Sequence, residues 1–423
     1  MVFLCVYAPV LSTNRMTFLN VLCDVIGGVS DEYLFLGGDF NCTADAALDR
    51  NHLGQRKVIH CLRSDNGSSL TEAAEIRRHA THFYKELFKT ELVEDLELES
   101  AFLADLPQVR ESSDSLLSAD LTLDELRVAL MSLDNGKAPG IDGIPVDFYK
   151  TFWPVVGEDM LEVFQESFRS GLLPQSCRRA VITLLPKKGD LQDLKNWRPV
   201  SLLCRDYKVL SKALALRLRE AMAEVVHVDQ TYCVPGRLIS DDITVIRHVL
   251  DISSSLGIET ALISIDQEKA FDRVEHQYLW KTLAAFGFNP GFIARIQVLY
   301  CNVASILKIN GSLAAPFAVQ RGVRQGCSLS GMLYSLAIEP FLHKLRKELS
   351  GVCFPGCPTA VKLSAYADDI MVVLNTQVDI KVIEGNVELF NKLSSSKVNW
   401  NKSEAFATTK DSLNGLVLPG RLS

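Results

Sequence analysis

The sequence predicts an α+β protein whose antiparallel sheet is backed by helices, and three observations carry that expectation. Val303–Ile309 and Ser312–Val319 are strand-like runs joined by Asn310-Gly311, a pair suited to the type I′ turn of a hairpin. Val361–Ala365 and Ile370–Leu374 flank Tyr366-Ala-Asp-Asp369, a second hairpin with two carboxylates at its tip. Between such runs lie stretches of helical period, of which Val209–Val226 is the longest.

The elements divide the chain into three regions. The first, residues 1–50, holds two apolar strand-like runs, Val2–Val6 and Tyr33–Leu36, with a helix-like stretch between them. The second, 51–168, is expected to be a helical, acidic linker and N-terminal extension. In it Ala73, Ile76, Ala80, Phe83 and Leu87 form one helical stripe within Thr71–Leu87. Thr122-Leu-Asp-Glu125 is a capping box, because the Thr hydroxyl can accept from the third helical amide while Glu125 reaches back. The helix that it opens stops at Asn135-Gly136, where a left-handed residue is easy to place. The third region, 169–423, alternates strands and helices. Val181–Leu185 is a mostly apolar strand, and Ala261–Ile265 is apolar apart from Ser264, as a buried sheet strand would be.

Composition bounds the function. An apolar fraction of 48% and a charged fraction of 22% are ordinary for a globular chain, and no run approaches the roughly 20 apolar residues that span a bilayer. The opening stretch has no basic n-region, so it does not read as a signal peptide. The 11 cysteines are scattered and form no paired zinc set, which fits free thiols in a reducing compartment, nuclear or cytoplasmic rather than secreted. The net charge of −7 alone argues against nucleic acid as a partner, but charge is uneven. Glu91–Glu125 holds 11 acidic residues and one basic; Arg178–Glu220 holds 11 basic and four acidic, enough for a face that tracks phosphates.

Two placements of acid stand out. Ala261–Ile265 runs straight into Asp266, and Asp368-Asp369 sit in the turn of the second hairpin. Bare carboxylates at the ends of buried strands are costly unless a cation compensates, and hard oxygen ligands suit Mg²⁺. If the two elements are sheet neighbours, the acids converge and could hold two ions for in-line phosphoryl transfer. The bland alternative is a solvated Asp-Asp turn, and on these residues alone the two readings stand about even.

At this point the residues resemble a family. Ser264-Ile-Asp-Gln-Glu-Lys-Ala-Phe-Asp272, Arg321-Gly-Val-Arg-Gln-Gly-Cys-Ser-Leu-Ser330 and Ala365-Tyr-Ala-Asp-Asp369 resemble, in order, catalytic motifs of reverse transcriptases. Leu184–Lys188, Asn196–Ser201, Asp229–Arg237, Asn135–Gly143 and Lys397–Ser403 resemble further motifs of the non-LTR (LINE-type) retrotransposon branch, and the likeness covers roughly Leu121 to Phe406. The resemblance implies a right-hand polymerase fold, with fingers from about Leu173 to Asp251 and an antiparallel palm sheet. It implies an RNA-directed DNA polymerase that joins dNTPs to a DNA primer on an RNA template, using two Mg²⁺ ions or Mn²⁺ in their place. Asp266 and Asp368 would ligate both metals, with Asp369 supporting. Phe271 would lie under the incoming sugar and exclude a 2′-hydroxyl, Gln325 would line the nucleotide pocket, Lys187 and Arg198 would clamp the triphosphate, and Lys397 would lie on the pyrophosphate side. The family usually carries Pro where Ser328 and Gly331 stand, and a small residue, often Gly, near Ser395.

At the front, Val6-Tyr-Ala-Pro9 and Gly37-Gly-Asp-Phe-Asn-Cys42 resemble the apurinic-type endonuclease that precedes such polymerases, which places Asp39 and Asn41 at the site of a truncated remnant. No Ser-Asp-His occurs in the chain, so endonuclease activity is expected to be absent. The primer-grip hairpin and thumb that follow the last motif in the family are expected to be missing. The alternative to a working polymerase is therefore an impaired remnant that only binds nucleic acid. An RNA-templated RNA polymerase is disfavoured by Phe271.

Overall fold

The computed structural model describes residues 2–7, 34–39, 58–187, 189–374 and 376–407. They belong to two units, Met1–Ile59 and His60–Ser423. In the first, β1 (Val2–Tyr7) and β2 (Leu34–Asp39) pair in parallel, with Val2 opposite Leu34 and Tyr7 opposite Asp39. The helix expected between them and Asn41 lie outside the described residues.

The second unit carries the remaining strands: β3 (Leu62–Arg63), β4 (Ser69–Leu70), β5 (Arg179–Pro186), β6 (Trp197–Leu203), β7 (Ala261–Ile265), β8 (Ala304–Ile309), β9 (Ser312–Leu313), β10 (Phe317–Ala318), β11 (Leu363–Tyr366), β12 (Asp369–Leu374) and β13 (Glu404–Ala407). Its principal helices are α1 (Ala73–Leu87), α2 (Leu123–Met131), α3 (Trp153–Ser170), α4 (Arg205–Val225), α5 (Ile239–Leu256), α6 (His276–Ala285), α7 (Ser330–Glu348) and α8 (Gln377–Ser394). One sheet runs β10-β8-β5-β6, with β9 added to β8; a second runs β11-β12-β7-β13, all antiparallel; and β3 pairs with β4 alone.

Local chemistry explains the expected elements that form. Asn310 and Gly311 both have positive φ, 49° and 85°, as a type I′ turn needs. The capping box closes at the start of α2: Thr122 Oγ1 accepts from the Glu125 amide at 3.3 Å, and Glu125 Oε2 accepts from the Thr122 amide at 3.0 Å. The unbroken apolar run of β7 is explained by burial on both faces. Ala261, Ile263 and Ile265 join the main core, while Leu262 joins a smaller cluster with Val249, Phe354 and Val373.

The helical, acidic stretch expected to be a linker and N-terminal extension contributes side chains to the main core. Phe102, Leu126 and Phe164 belong to the same cluster as Leu214, Ile263, Phe341 and Phe390. Arg217 of α4, only 4% exposed, fastens this stretch by donating to the Asp120 carbonyl at 2.7 Å and to Glu125 Oε2 at 2.7 Å. Acidic residues on the outer faces had masked an apolar inner face. The eight cysteines from Cys61 to Cys357 are free.

Candidate active site

The end of β7 and the start of β12 are neighbours, because Ile265 lies opposite Ile370 in the antiparallel register. Asp266 therefore leaves one strand beside the turn that carries Asp368 and Asp369, and all three line one cavity of about 880 Å³. Two straps hold this geometry. Asp266 accepts through its carbonyl from the Asn399 amide at 2.8 Å, and its own amide donates to Ser403 Oγ at 3.1 Å. At the turn, Ala367 takes φ 57°, a conformation costly for a residue with a Cβ. Fully buried Gln230 supports it, accepting from the Ala367 amide at 3.1 Å and donating to its carbonyl at 3.5 Å. The segment Asp229–Thr231, quoted above among the fingers motifs, thus lies along the catalytic-type hairpin.

The carboxylates are electrostatically uneasy. Burial, then the neighbouring charges of Asp369 and Asp266, push Asp368 up to about 6. Asp369 rises from burial in the cleft and from Asp266, although the residue is exposed at the turn. Burial also raises Asp266, against the pull of Lys402 and Lys187. Across the cavity stand the bases that this sheet edge delivers. Pro186 pairs with Trp197 at the end of the β5–β6 hairpin, so Lys187 and Arg198 emerge together. Burial and then the Arg198 charge hold Lys187 below the usual lysine range.

Phe271 lines the cavity with its ring stacked on Tyr334 at 4.4 Å and 15°, and edge-on to Tyr232 at 6.1 Å. Gln325 lines it too, its carbonyl taking the Ser201 amide at 2.9 Å. The next residue must be glycine: Gly326 has φ 111°, and a Cβ there would lie 2.8 Å from the Ser201 carbonyl oxygen.

Lys397 departs from expectation. It does not line the cavity, and its ammonium pairs with Glu91 at 3.1 Å; Lys402, five residues on, faces the cavity instead. Glu91 is drawn down to about 2: burial would raise it, but hydrogen bonds from Arg321 and Lys397 prevail. Both lysines stand in one quoted motif, and only the turn between them decides which one faces inward. Gln230, Lys269 and Asp272 also escaped sequence reasoning, since nothing local distinguishes them from solvated polar residues. Of the positions that depart from the family, Ser395 takes φ 55° at the end of α8, where glycine is strain-free. At Gly331 a Cβ would meet Cys233 Sγ at 2.5 Å, so this chain has no room there for the ring of a proline. Asp39 closes β2 in the other unit, and only its backbone is described.

The cavity's three carboxylates supply hard oxygen donors, and a divalent ion between them would offset both the burial that raises all three and the mutual repulsion that adds to it at Asp368 and Asp369. Their chemistry fits such an ion. Their oxygens are spread wider than a closed ligand set, however. Among the described residues the one trio of donors within 4.8 Å of each other is Asp142, Cys204 and Asp206.

An antiparallel sheet that presents strand-end acids to a cleft rimmed with bases defines a protein of the polymerase kind. Residues 185–415, more than half of the chain, match the family model for reverse transcriptase (RNA-dependent DNA polymerase), and the chain belongs to that family. It is 47% identical over 350 residues to the transposon TX1 uncharacterized 149 kDa protein of Xenopus laevis, covering 83% of this chain and 27% of that protein. It is 28% identical over 284 residues to the Pol polyprotein of the type-2 retrotransposable element R2DM of Drosophila melanogaster, covering 67% of this chain and 26% of that one. A Pol polyprotein of type-1 element R2 from Popillia japonica is 26% identical, over 67% of this chain and 38% of its own length. The chain thus spans about a quarter to two fifths of these relatives. No described helix is long and apolar enough to cross a membrane.

Proposed function

We propose that this chain is the polymerase core of a non-LTR retrotransposon reverse transcriptase, extending a DNA primer on an RNA template with deoxynucleoside triphosphates. The observation that carries the reading is the meeting of Asp266 with Asp368 and Asp369 at one end of a single antiparallel sheet, inside a cleft whose other wall is basic. Asp266 and Asp368 would hold a pair of Mg²⁺ ions, with Asp369 beside them. When bound there, the ions supply positive charge that favours the ionised primer 3′-hydroxyl and offsets the leaving pyrophosphate.

The chain's own residues bind and orient. Lys187 and Arg198 receive the triphosphate, one as a point charge and the other as a two-toothed fork. Lys402 takes the place expected of Lys397 beside the phosphates. Phe271, braced by Tyr334, closes the space that a 2′-hydroxyl would need. Gln325 lines the nucleotide pocket between them. In domain terms, 169–423 forms fingers and palm, and 51–168 forms a helical extension. Residues 1–50 are an endonuclease-like remnant, supported by the motif around Asp39 and Asn41 and by the parallel pairing that ends at Asp39. Plasmid nicking that disappears in Asp39→Asn would show that this remnant retains its chemistry.

The deciding experiment is primer extension on an RNA template with dNTPs and Mg²⁺, comparing the unaltered chain with Asp368→Asn. Extension by the first and not by the second is expected; extension that survives the substitution overturns the assignment.

A further inference from the structure

Away from the catalytic-type cavity, two thiols and two carboxylates from three elements meet. Cys204 stands between β6 and α4 as the N-cap of that helix, and Asp206 lies in the helix's first turn. Asp142 arrives on the loop that follows Asn135-Gly136, and Cys177 on the short helix Gln175–Arg178. The donor atoms of Asp142, Cys204 and Asp206 lie within 4.8 Å of one another. Cys177 joins them from the other side, its thiol donating to the Asp206 carboxylate. Cys177 and Cys204 are 1% and 0% exposed, while Asp142 is exposed and gives the cluster one open side. None of the four lines the cavity described above. The approach of the loop is built in. Arg205, itself buried, donates through Nη2 to the carbonyls of Lys137 at 2.7 Å and Ala138 at 2.6 Å. Gly140 crosses so close that a Cβ there would lie 2.4 Å from the Cys204 amide nitrogen, so only glycine lets Asp142 reach this sulfur.

Two sulfurs and two carboxylate oxygens around one point suit a tetrahedral, borderline-soft ion, and the sulfurs exclude Mg²⁺, which takes oxygen. The surroundings are those of a ligand set. The Asp142 amide donates to the Cys204 sulfur and the Ser176 side chain to that of Cys177, and both contacts favour the thiolate. The N-terminus of α4 favours it at Cys204 as well. Burial works the other way and keeps both thiols protonated at neutral pH when no ion is bound. Metal uptake therefore breaks two S–H bonds, gives both protons to solvent and forms two metal–sulfur bonds. Two protons are exchanged for one dication, so with the carboxylates ionised the net charge of this enclosed cluster does not change. We propose that Asp142, Cys177, Cys204 and Asp206 form a Zn²⁺ site that fastens the loop after Asn135-Gly136 to the start of α4. Neither cysteine belongs to a closely spaced pair, so no zinc set stood out in the sequence. The site is independent of the polymerase reading.

The test loads the full chain with Zn²⁺, removes the excess on a desalting column and measures bound zinc by mass spectrometry. About one zinc per chain is expected, and Co²⁺ in its place should show the charge-transfer band of a thiolate ligand. Cys204→Ser should weaken zinc about a hundredfold and diminish that band. Asp142→Asn changes only the exposed loop and serves if the cysteine variant does not fold; it should weaken zinc about tenfold and keep the band. Cys353→Ser combined with Cys357→Ser removes an exposed pair and should alter neither reading. Zinc should also slow tryptic cleavage after Lys137, the residue whose carbonyl Arg205 holds. Zinc well below one per chain, a cobalt spectrum without sulfur charge transfer, affinity that survives both Cys204→Ser and Asp142→Asn, zinc that departs with Cys353 and Cys357, or cleavage at Lys137 indifferent to zinc would each overturn the proposal. Loss of primer extension alone would count against the polymerase reading and leave the zinc site standing.

Discussion

Two sets of enclosed charge sit in the same unit and are treated in opposite ways. Behind the catalytic-type hairpin, Arg346 of α7 binds Asp229 at 2.6 Å and Glu339 at 2.6 Å. There Asp229 is pulled below the usual carboxylate range despite its burial, while Glu339, deeper and only 1% exposed, is still raised by burial although Arg346 holds it. At the cavity, burial raises Asp266, Asp368 and Asp369 alike; neighbouring aspartates add to the rise of Asp368 and Asp369, while Lys402 and Lys187 only partly offset it at Asp266. The first set is a rivet, charge matched to charge, whose chain continues through Gln230 into the turn it supports. The second is an unmatched concentration of negative charge that the fold tolerates, and the rivet helps to hold it in place. A protein keeps such repulsion where something outside the chain is meant to relieve it.

The contrast can be broken most decisively at Asp368. Asp368→Asn should reduce primer extension by about a thousandfold or more, measured under single-turnover conditions. The same substitution should raise, not lower, the melting temperature in EDTA at neutral pH, because it removes a repelled charge. A fall in melting temperature would mean that the aspartate is structural. Next in size is the rivet: Arg346→Leu strands two enclosed carboxylates and should cost about 3–5 kcal/mol in urea unfolding. A loss below about 1 kcal/mol would show that solvent reaches Asp229 and Glu339 freely.

The pH dependence sharpens the comparison further. Asp368 is raised from 3.8 to about 6 in the fold, so its contribution favours folding below the unfolded value and is lost as pH rises through about 6. Asp229 is lowered, so its contribution is present above the unfolded value and is lost as pH falls through the lower folded one. In EDTA, the stability advantage of Asp368→Asn over the unaltered chain should therefore grow between pH 4 and 7, by the order of 2 kcal/mol. An advantage that is flat with pH would remove the repulsion from the account. The smallest effect expected is that of Mg²⁺ itself. Millimolar Mg²⁺ at neutral pH should raise the melting temperature by roughly 2–4 °C, and Asp368→Asn should abolish most of that gain.

Much of the fold was legible because it is written over short distances. Asn310-Gly311 sets a turn whatever surrounds it, and Thr122 caps a helix with a glutamate three residues away. An apolar run that stops at an acid marks a strand end at Asp266. The helical stretch before residue 168 was legible as helices but not as core, because outward acids dominate its composition while Phe102, Leu126 and Phe164 face in. The choice between Lys397 and Lys402 was likewise closed to sequence reasoning, since both are equally basic and only the loop's path directs one to Glu91 and the other to the cavity.

By itself, then, the order of residues determined the strands, turns and caps, the family to which the chain belongs, and which acids end which strands. Each of those depends on neighbours within a few positions or on short motifs that occur in a set order. Tertiary structure alone decided that Gln230 props the acid turn, that an aromatic pair on α1 shelters Lys269, and that Asp272 takes hold of Gln325. Contacts between residues some 50 to 190 positions apart depend on how whole elements pack, and desolvation, which sets the charge states here, exists only once that packing has excluded water.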